Sequence, residues 1–183
     1  MKHRKLRCLC ESAVLLAAAM ILNYLRLWKM PWGGSIDLAM IPVLLCAVRW
    51  GIGPGLCAGF LFGTLQFLLG GGFAIGWQSI LGDYLIAYTV LGLAGFAKKT
   101  RNGYLLGTLL GGGARFLVHY VVGATIWAEY MPDEFFGLTM TSPWFYSLLY
   151  NGSFMIPNII LAMLAFFLLW KPLQKFMSGQ DLS

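Results

Sequence analysis

The 183-residue sequence has few charged residues and no motif for metal, nucleotide or nucleophilic chemistry. Charged residues make up 11% of it and the mean hydropathy is +0.74, whereas soluble domains carry about 25% charged residues. The four cysteines show no metal-ligand spacing beyond one C-x-C, and the glycine triplets lack the lysine of a phosphate-binding loop. The low charge and high hydropathy exclude a soluble fold. Because the motifs are missing, we also expect no metal site and no cofactor held by this chain.

Long apolar stretches predict an all-α integral membrane protein, a bundle of six transmembrane helices in a single domain over residues 1–183. Apolar residues make up 59% of the sequence, and one transmembrane helix needs about 20 of them. Charged and Gly/Pro breaks separate the predicted spans 9–27, 36–50, 53–70, 74–96, 103–128 and 143–170. The first run follows basic residues as in a signal peptide, but its length predicts a retained helix.

Basic residues are distributed unevenly between the two ends of these spans. With both termini in the cytoplasm, ten of the thirteen lie inside, only Arg26 and Lys29 lie outside, and Arg115 lies within the membrane. Cytoplasmic loops carry an excess of lysine and arginine. The orientation that places most basic residues inside is therefore predicted, and in it both termini are cytoplasmic. The clustering at span ends also argues against binding to nucleic acid.

Polar residues at a common depth predict a cavity in the outer half of the bilayer. Asp83 and His119 each lie about 12 Å from the outer end of their span, at a rise of 1.5 Å per residue. Asn151 in span 6 lies at about the same level, and Tyr146 lies nearer the surface. Because charged groups are costly in hydrocarbon, such residues usually mark a ligand or ion pathway.

Span 5 carries a stripe with i+4 spacing, formed by Arg115, His119, Gly123 and Trp127. We expect Gly123 to leave room for a planar ligand and Trp127 to cover the mouth. The outer loop 129–142 contains three acidic residues and no basic residue. An acidic vestibule, aromatic walls and a buried carboxylate together favour an organic cation as ligand.

Each of these polar residues also has a structural alternative. Asp83 and Arg115 could form an intramembrane ion pair, and His119 could be a core histidine. Tyr146 and Asn151 could simply join one helix to another. A small intramembrane enzyme that uses His119 and Asp83 as acid and base is the alternative from another functional class.

Small residues at four-residue intervals predict close helix contacts. The glycines in and before span 3 are Gly51, Gly55, Gly59 and Gly63, and their interpretation is packing inside the bundle. Ala13 and Ala17 form a similar pattern in span 1. For these alanines, interior packing and docking on a membrane partner both stay open.

Ordered segments along nearly the whole chain resemble the thiamine-specific substrate-binding subunit, or S component, of energy-coupling factor (ECF) transporters. Beside the span 5 stripe, they are MPWGGSI (30–36), RWGIGPG (49–55), GDY (82–84), LGLAG (91–95) and YSLLYNG (146–152). The resemblance implies a prokaryotic plasma-membrane protein that binds thiamine from outside and is not itself an enzyme. Its partners would be a membrane-embedded coupling subunit and two cytoplasmic ATPases. An S component for another small aromatic vitamin, or for a thiamine precursor, is the alternative within this class.

The resemblance also assigns roles to individual positions. The family's ligand-binding residues map onto Trp32, Asp83, Tyr84, His119, Gly123, Trp127, Tyr146 and Asn151. In this hypothesis Asp83 neutralises the thiazolium, Arg115 holds Asp83 ionised, and the polar edges of thiamine are oriented by Tyr84, Tyr146 and Asn151. The rings of Trp127 and His119 stack on the ligand, and Trp32 belongs to a lid. The family's Ala-x-x-x-Ala face, which meets the coupling subunit, maps onto Ala13 and Ala17.

Overall fold

Helices make up most of the structure, a computed structural model that describes residues 2–182. Residues 1 and 183 of the predicted domain lie outside the described part. The elements are α1 (Lys2–Tyr24), β1 (Trp28–Lys29), β2 (Ser35–Ile36), α2 (Met40–Trp50), α3 (Ile52–Leu69), α4 (Trp77–Phe96), α5 (Arg101–Thr125), β3 (Glu134–Phe135), β4 (Leu138–Thr139), α6 (Pro143–Leu169) and α7 (Gln174–Ser178). Within residues 2–182, all of these helices except α2 and α7 are long and apolar enough to cross a membrane. The predicted class, a helical membrane protein, is confirmed.

The second predicted span is shorter than the sequence indicated. Helix α2 has 11 residues, which is about 16 Å, whereas the hydrocarbon core is about 30 Å thick. Residues 36–39 were predicted to be helical but lie before α2. Ile36 pairs with Trp28 in the β1–β2 hairpin, and Asp37 Oδ1 accepts a hydrogen bond from Ala39 N at 3.0 Å. An apolar run alone does not distinguish a strand from a helix.

Glycines bring α3 into backbone contact with α4. A Cβ atom at Gly59 would collide with the carbonyl oxygen of Tyr88, and one at Gly63 would collide with that of Tyr84. Only glycine allows this approach, so the two helices pack more closely than side chains would permit. The predicted interior packing is confirmed for Gly55, Gly59 and Gly63, whereas a Cβ atom at Gly51 would meet no atom within 4 Å.

Helix α4 is irregular where it passes the interior of the bundle. Residues Ile80–Ile86 form a π-helix and Val90–Phe96 form a 3-10 helix. The π-helix is a rare conformation that occurs frequently at functional sites. Its residues include Asp83 and Tyr84, two of the predicted ligand-binding residues.

Helices α5 and α6 begin at residues that cap them. Thr100 Oγ1 accepts a hydrogen bond from Gly103 N at 3.1 Å, and Ser142 Oγ accepts one from Phe145 N at 3.2 Å. Hydroxyl side chains at this position satisfy amide groups that the first helical turn leaves free. Both helices therefore start close to where the polar breaks in the sequence predicted.

A buried arginine joins α1, α2 and the C-terminal segment at one end of the bundle. The Arg49 side chain is 0% exposed. It donates to Glu11 Oε2 at 2.6 Å, to Asp181 Oδ2 at 2.9 Å and to the carbonyl oxygen of Phe176. The Arg49 guanidinium also holds the pKa of the Asp181 carboxyl below its usual value. Residues near the two ends of the described chain therefore lie together, because Asp181 also pairs with Arg7 of α1.

Candidate functional site

A cavity of about 510 Å³ lies at the end of the bundle opposite Arg49. Small-molecule sites typically occupy about 300–1,000 Å³. The nine residues that the sequence singled out all line this cavity: Trp32, Asp83, Tyr84, Arg115, His119, Gly123, Trp127, Tyr146 and Asn151. The structure therefore brings the candidates together, while their contact with a ligand stays a prediction.

The Asp83 carboxylate holds two aromatic rings at the centre of the cavity. Its Oδ1 lies 3.0 Å from His119 Nδ1, and its Oδ2 accepts a hydrogen bond of 2.7 Å from Trp127 Nε1. Hydrogen bonds to an ionised group are stronger than those between neutral groups. Asp83 thus fixes the orientation of the two rings that were predicted to stack on the ligand. Trp127 also packs on Phe73, with ring centroids 5.8 Å apart.

Arg115 makes no ion pair with Asp83, so its predicted role in holding that carboxylate ionised stays a prediction. Its guanidinium carbon lies 4.1 Å from the centroid of the Tyr88 ring, and no ion pair of Arg115 occurs within residues 2–182. The structural ion pair between Asp83 and Arg115 is excluded for the same reason. Arg115 Nε and His119 Nε2 are buried without a hydrogen-bond partner in this part of the chain. A bound ligand can satisfy both atoms, since unpaired buried polar groups are costly.

Gly123 allows α5 and α6 to approach each other, in addition to lining the cavity. A Cβ atom at this position would collide with Ser147 Oγ and would lie 3.1 Å from Asn151 Nδ2. Asn151 uses this close approach, because its Nδ2 donates to His119 O of α5 at 3.2 Å, besides a bond of 3.0 Å to Ser147 O within α6. The helix-joining alternative for Asn151 is therefore realised, although the residue also lines the cavity.

Two hairpins meet beside the cavity, and residues of the first one line it. A turn over residues 30–33 closes the β1–β2 hairpin, with Gly33 N donating to Met30 O at 3.2 Å, and Trp32 lies in this turn. The Trp32 ring meets Phe135 and Phe136 of the β3–β4 hairpin edge-on, at centroid distances of 5.2 and 4.9 Å. Trp32 lines the cavity, and its role as a lid residue stays a prediction.

The rim of the cavity carries basic residues that the sequence analysis assigned only to topology. Arg26 and Lys29 line the cavity. The three acidic residues of the outer loop, Glu129, Asp133 and Glu134, are exposed and do not line it. The prediction of an acidic vestibule is therefore wrong, and the negative charge of the cavity comes from Asp37 and Asp83.

Several lining residues were missed by the sequence analysis although α6 carries a signal for them. Tyr150, Phe154 and Asn158 follow the predicted Tyr146 at four-residue intervals, as the stripe on α5 does, and all line the cavity. The same spacing argument would have found them. Asp37 gave no comparable signal, because it is a single acidic residue between a loop and an apolar run.

Ala13 and Ala17 are exposed on the outer surface of α1. Leu9 and Ile21, on the same helix, are also exposed, at 69% and 60% of their full accessible area. Packing of the two alanines inside the bundle is therefore excluded. The α1 face is free for lipid or for a membrane partner.

Apolar helices that surround an aromatic cavity with a partly buried carboxylate define a membrane protein with a site for a small molecule. Residues 9–178 match the model of the thiamine transporter protein family (Thia_YuaJ). The chain belongs to this family. The resemblance noted from the sequence motifs is therefore confirmed.

Relatives of known name agree with this family assignment. The chain is 32% identical over 177 residues to the thiamine transporter ThiT of Bacillus subtilis, covering 88% of this chain and 89% of that one. It is 32% identical over 168 residues to ThiT of Lacticaseibacillus paracasei, covering 82% and 80%. The solved structure of ThiT from Listeria monocytogenes matches with a TM-score of 0.81 at 25% identity, covering 94% of this chain and 98% of that one.

Family membership decides between the functional classes left open by the sequence. The named relatives are bacterial transporters, so the chain is a multi-pass protein of the plasma membrane and a non-enzymatic transport subunit. The intramembrane enzyme, in which His119 and Asp83 would act as acid and base, finds no support.

Proposed function

We propose that this protein binds thiamine in the described cavity and delivers it inward as the S component of an ECF-type transporter. With both termini in the cytoplasm, the end that contains Arg49 faces inward and the cavity beside the hairpins faces outward. Thiamine then reaches the cavity from outside the cell. Transfer to the inside requires partners, namely a membrane-embedded coupling subunit and two cytoplasmic ATPases.

The observation that carries this proposal is the Asp83 carboxylate, bonded to His119 and Trp127 inside an aromatic chamber. Thiamine combines a permanently cationic thiazolium with a planar aminopyrimidine. A carboxylate and aromatic faces suit the cation. Unpaired polar atoms such as His119 Nε2 suit the polar edge of the pyrimidine.

Titration of the purified protein with thiamine, followed by quenching of tryptophan fluorescence, tests the ligand assignment. Trp127 and Trp32 line the cavity, so binding should change the emission and saturate. Competition with the isolated pyrimidine moiety separates thiamine from its precursor. We expect thiamine to bind more tightly than the fragment, because the fragment lacks the cation. Tighter binding of the fragment, or of another aromatic vitamin, would contradict the assignment.

We further propose that the exposed face of α1 with Ala13 and Ala17 meets the coupling subunit. Both residues are exposed, and small residues allow two helices to approach closely in a membrane. A tryptophan at either position would hold the partner helix away. The thiamine cavity would be unaffected, because neither alanine lines it.

Uptake of labelled thiamine by cells tests this docking face. Ala13→Trp should abolish uptake and leave thiamine binding by the purified protein unchanged. The matched control is Ile160→Trp on α6, where Ile160 is 58% exposed, and this variant should transport normally. Equal loss of uptake in both variants, or normal uptake by Ala13→Trp, would contradict docking on this face.

A further inference from the structure

Asn158 connects α6 to the hairpin that carries Trp32. Its Nδ2 donates to Ser35 O at 2.9 Å, and its Oδ1 accepts from Asp37 N at 2.9 Å. Asn158 is 4% exposed. One carboxamide therefore bonds to a backbone group of Ser35, in β2, and to one of Asp37, which directly follows β2.

The Asn158 carboxamide bonds to the edge of the hairpin in the way that the backbone of a neighbouring strand would. Strand β2 pairs with β1 through Ile36 O and Gly34 O, which accept from Leu27 N and Met30 N. In a strand, backbone groups of alternate residues point to opposite edges. The groups of Ser35 and Asp37 therefore point away from β1, and Asn158 covers an edge that would otherwise be unpaired.

Two glycines hold the hairpin against the same face of α6. Gly33 and Gly34 have φ values of +101° and +75°. A Cβ atom at Gly33 would lie 2.6 Å from Tyr150 Oη, and one at Gly34 would lie 2.6 Å from Phe154 Cδ1. The hairpin thus contacts α6 at Tyr150, Phe154 and Asn158, but only Asn158 bonds to its backbone.

We propose that Asn158 is a positioning residue for ligand binding, which fixes the hairpin so that Trp32 stays over the cavity. This inference rests on the proposed function. Each end of the Asn158 carboxamide bonds to the hairpin backbone, so the residue acts on ligand binding through the position of Trp32. Loss of the two hydrogen bonds lets the hairpin move away, and bound thiamine then escapes faster.

Dissociation of labelled thiamine from the purified protein, chased with excess unlabelled thiamine, measures this effect without relying on tryptophan fluorescence. Asn158→Leu keeps a similar volume and removes both hydrogen bonds. We expect dissociation to become about tenfold faster, the effect of losing two net hydrogen bonds. The matched control is Ser153→Ala, which removes a bond from Ser153 Oγ to Tyr150 O within α6 and should leave the rate unchanged.

A Trp32→Ala background separates positioning from general structural damage. If Asn158 acts through Trp32, Asn158→Leu adds no further acceleration once Trp32 is absent. An equal acceleration in both backgrounds would overturn the inference, because Asn158 would then act on the ligand or on the whole fold.

Gly34→Ala disturbs the same contact between hairpin and α6 from the hairpin side, and it tests the inference independently if Asn158→Leu fails to fold. The added methyl group meets Phe154 at a backbone conformation that disfavours alanine, so it should also accelerate dissociation. Thiamine binding with unchanged dissociation in both variants would overturn the inference and leave the proposed function intact. A chain that binds no thiamine at all would overturn both.

Discussion

Replacing Asp83 by asparagine removes one negative charge from the cavity and preserves the shape of the side chain. The carboxylate accepts from Trp127 Nε1 at 2.7 Å and lies 3.0 Å from His119 Nδ1. The asparagine oxygen can still accept from Trp127, and its amide group can donate to His119 Nδ1 in the tautomer that leaves this atom unprotonated. Both rings therefore keep their partners, and the main change is electrostatic.

The expected loss of affinity follows from the strength of a charge-assisted contact. A hydrogen bond or close contact with an ionised group contributes about 1.5–3 kcal/mol. Because about 1.4 kcal/mol corresponds to a factor of ten in the dissociation constant, Asp83→Asn should weaken thiamine binding at least tenfold. A value in this range fits a carboxylate that is also shared with His119 and Trp127.

The assay compares thiamine with an analogue whose thiazolium is replaced by an uncharged ring of similar shape. Titrations of both ligands against both proteins form a double-mutant cycle between the charge of the ligand and that of Asp83. We expect the substitution to weaken the binding of thiamine strongly and the binding of the neutral analogue only slightly. Asp133→Asn, a change of the same charge at an exposed residue outside the cavity, should affect neither ligand measurably.

An equal loss for both ligands would refute the counter-ion role of Asp83. The carboxylate would then serve only to orient the rings of His119 and Trp127. Unchanged binding of both ligands would refute both roles.

The structure makes further predictions for stability and packing. Gly123→Ala should lower stability by about 1–3 kcal/mol through overpacking and weaken thiamine binding, because its Cβ meets Ser147; thermal unfolding and titration measure this. Gly113→Ala on the same helix has open space and should be neutral or slightly stabilising. Arg49→Met should lower stability by about 1.5–3 kcal/mol, since it removes charge-assisted hydrogen bonds to Glu11 and Asp181, which keep Arg7 as a partner, and should retain thiamine binding. The lowered pKa of Asp181 means that its ionised form stabilises the fold at pH values above its unfolded-state pKa. This stabilisation is lost as the pH falls below about 4. The free energy of unfolding of Asp181→Asn should therefore depend less on pH in that range.

The helices and the central site could be predicted because hydropathy and helical rise are local properties. Depth along three spans was sufficient to bring Asp83, His119 and Asn151 into one cavity. The partner of Arg115 could not be predicted this way, because a depth gives no rotation about the helix axis. Arg115 lies over Tyr88, a ring that the sequence analysis did not consider.

The hairpins could not be predicted from sequence periodicity, for a different reason. Strands β1 and β2 have two residues each, which is too short for an alternating pattern to appear. Their position depends on Asn158, which is 121 residues away from Asp37 along the chain. The π-helix around Asp83 likewise has no reliable signature in composition.

Mass spectrometry of the small molecules released from the purified, detergent-extracted protein shows directly whether this cavity holds thiamine. We expect intact thiamine at about one molecule per chain after incubation with the vitamin, and much less from Asp83→Asn. Release of a different small molecule, or no thiamine after incubation with an excess of it, would contradict the claim that this cavity holds thiamine.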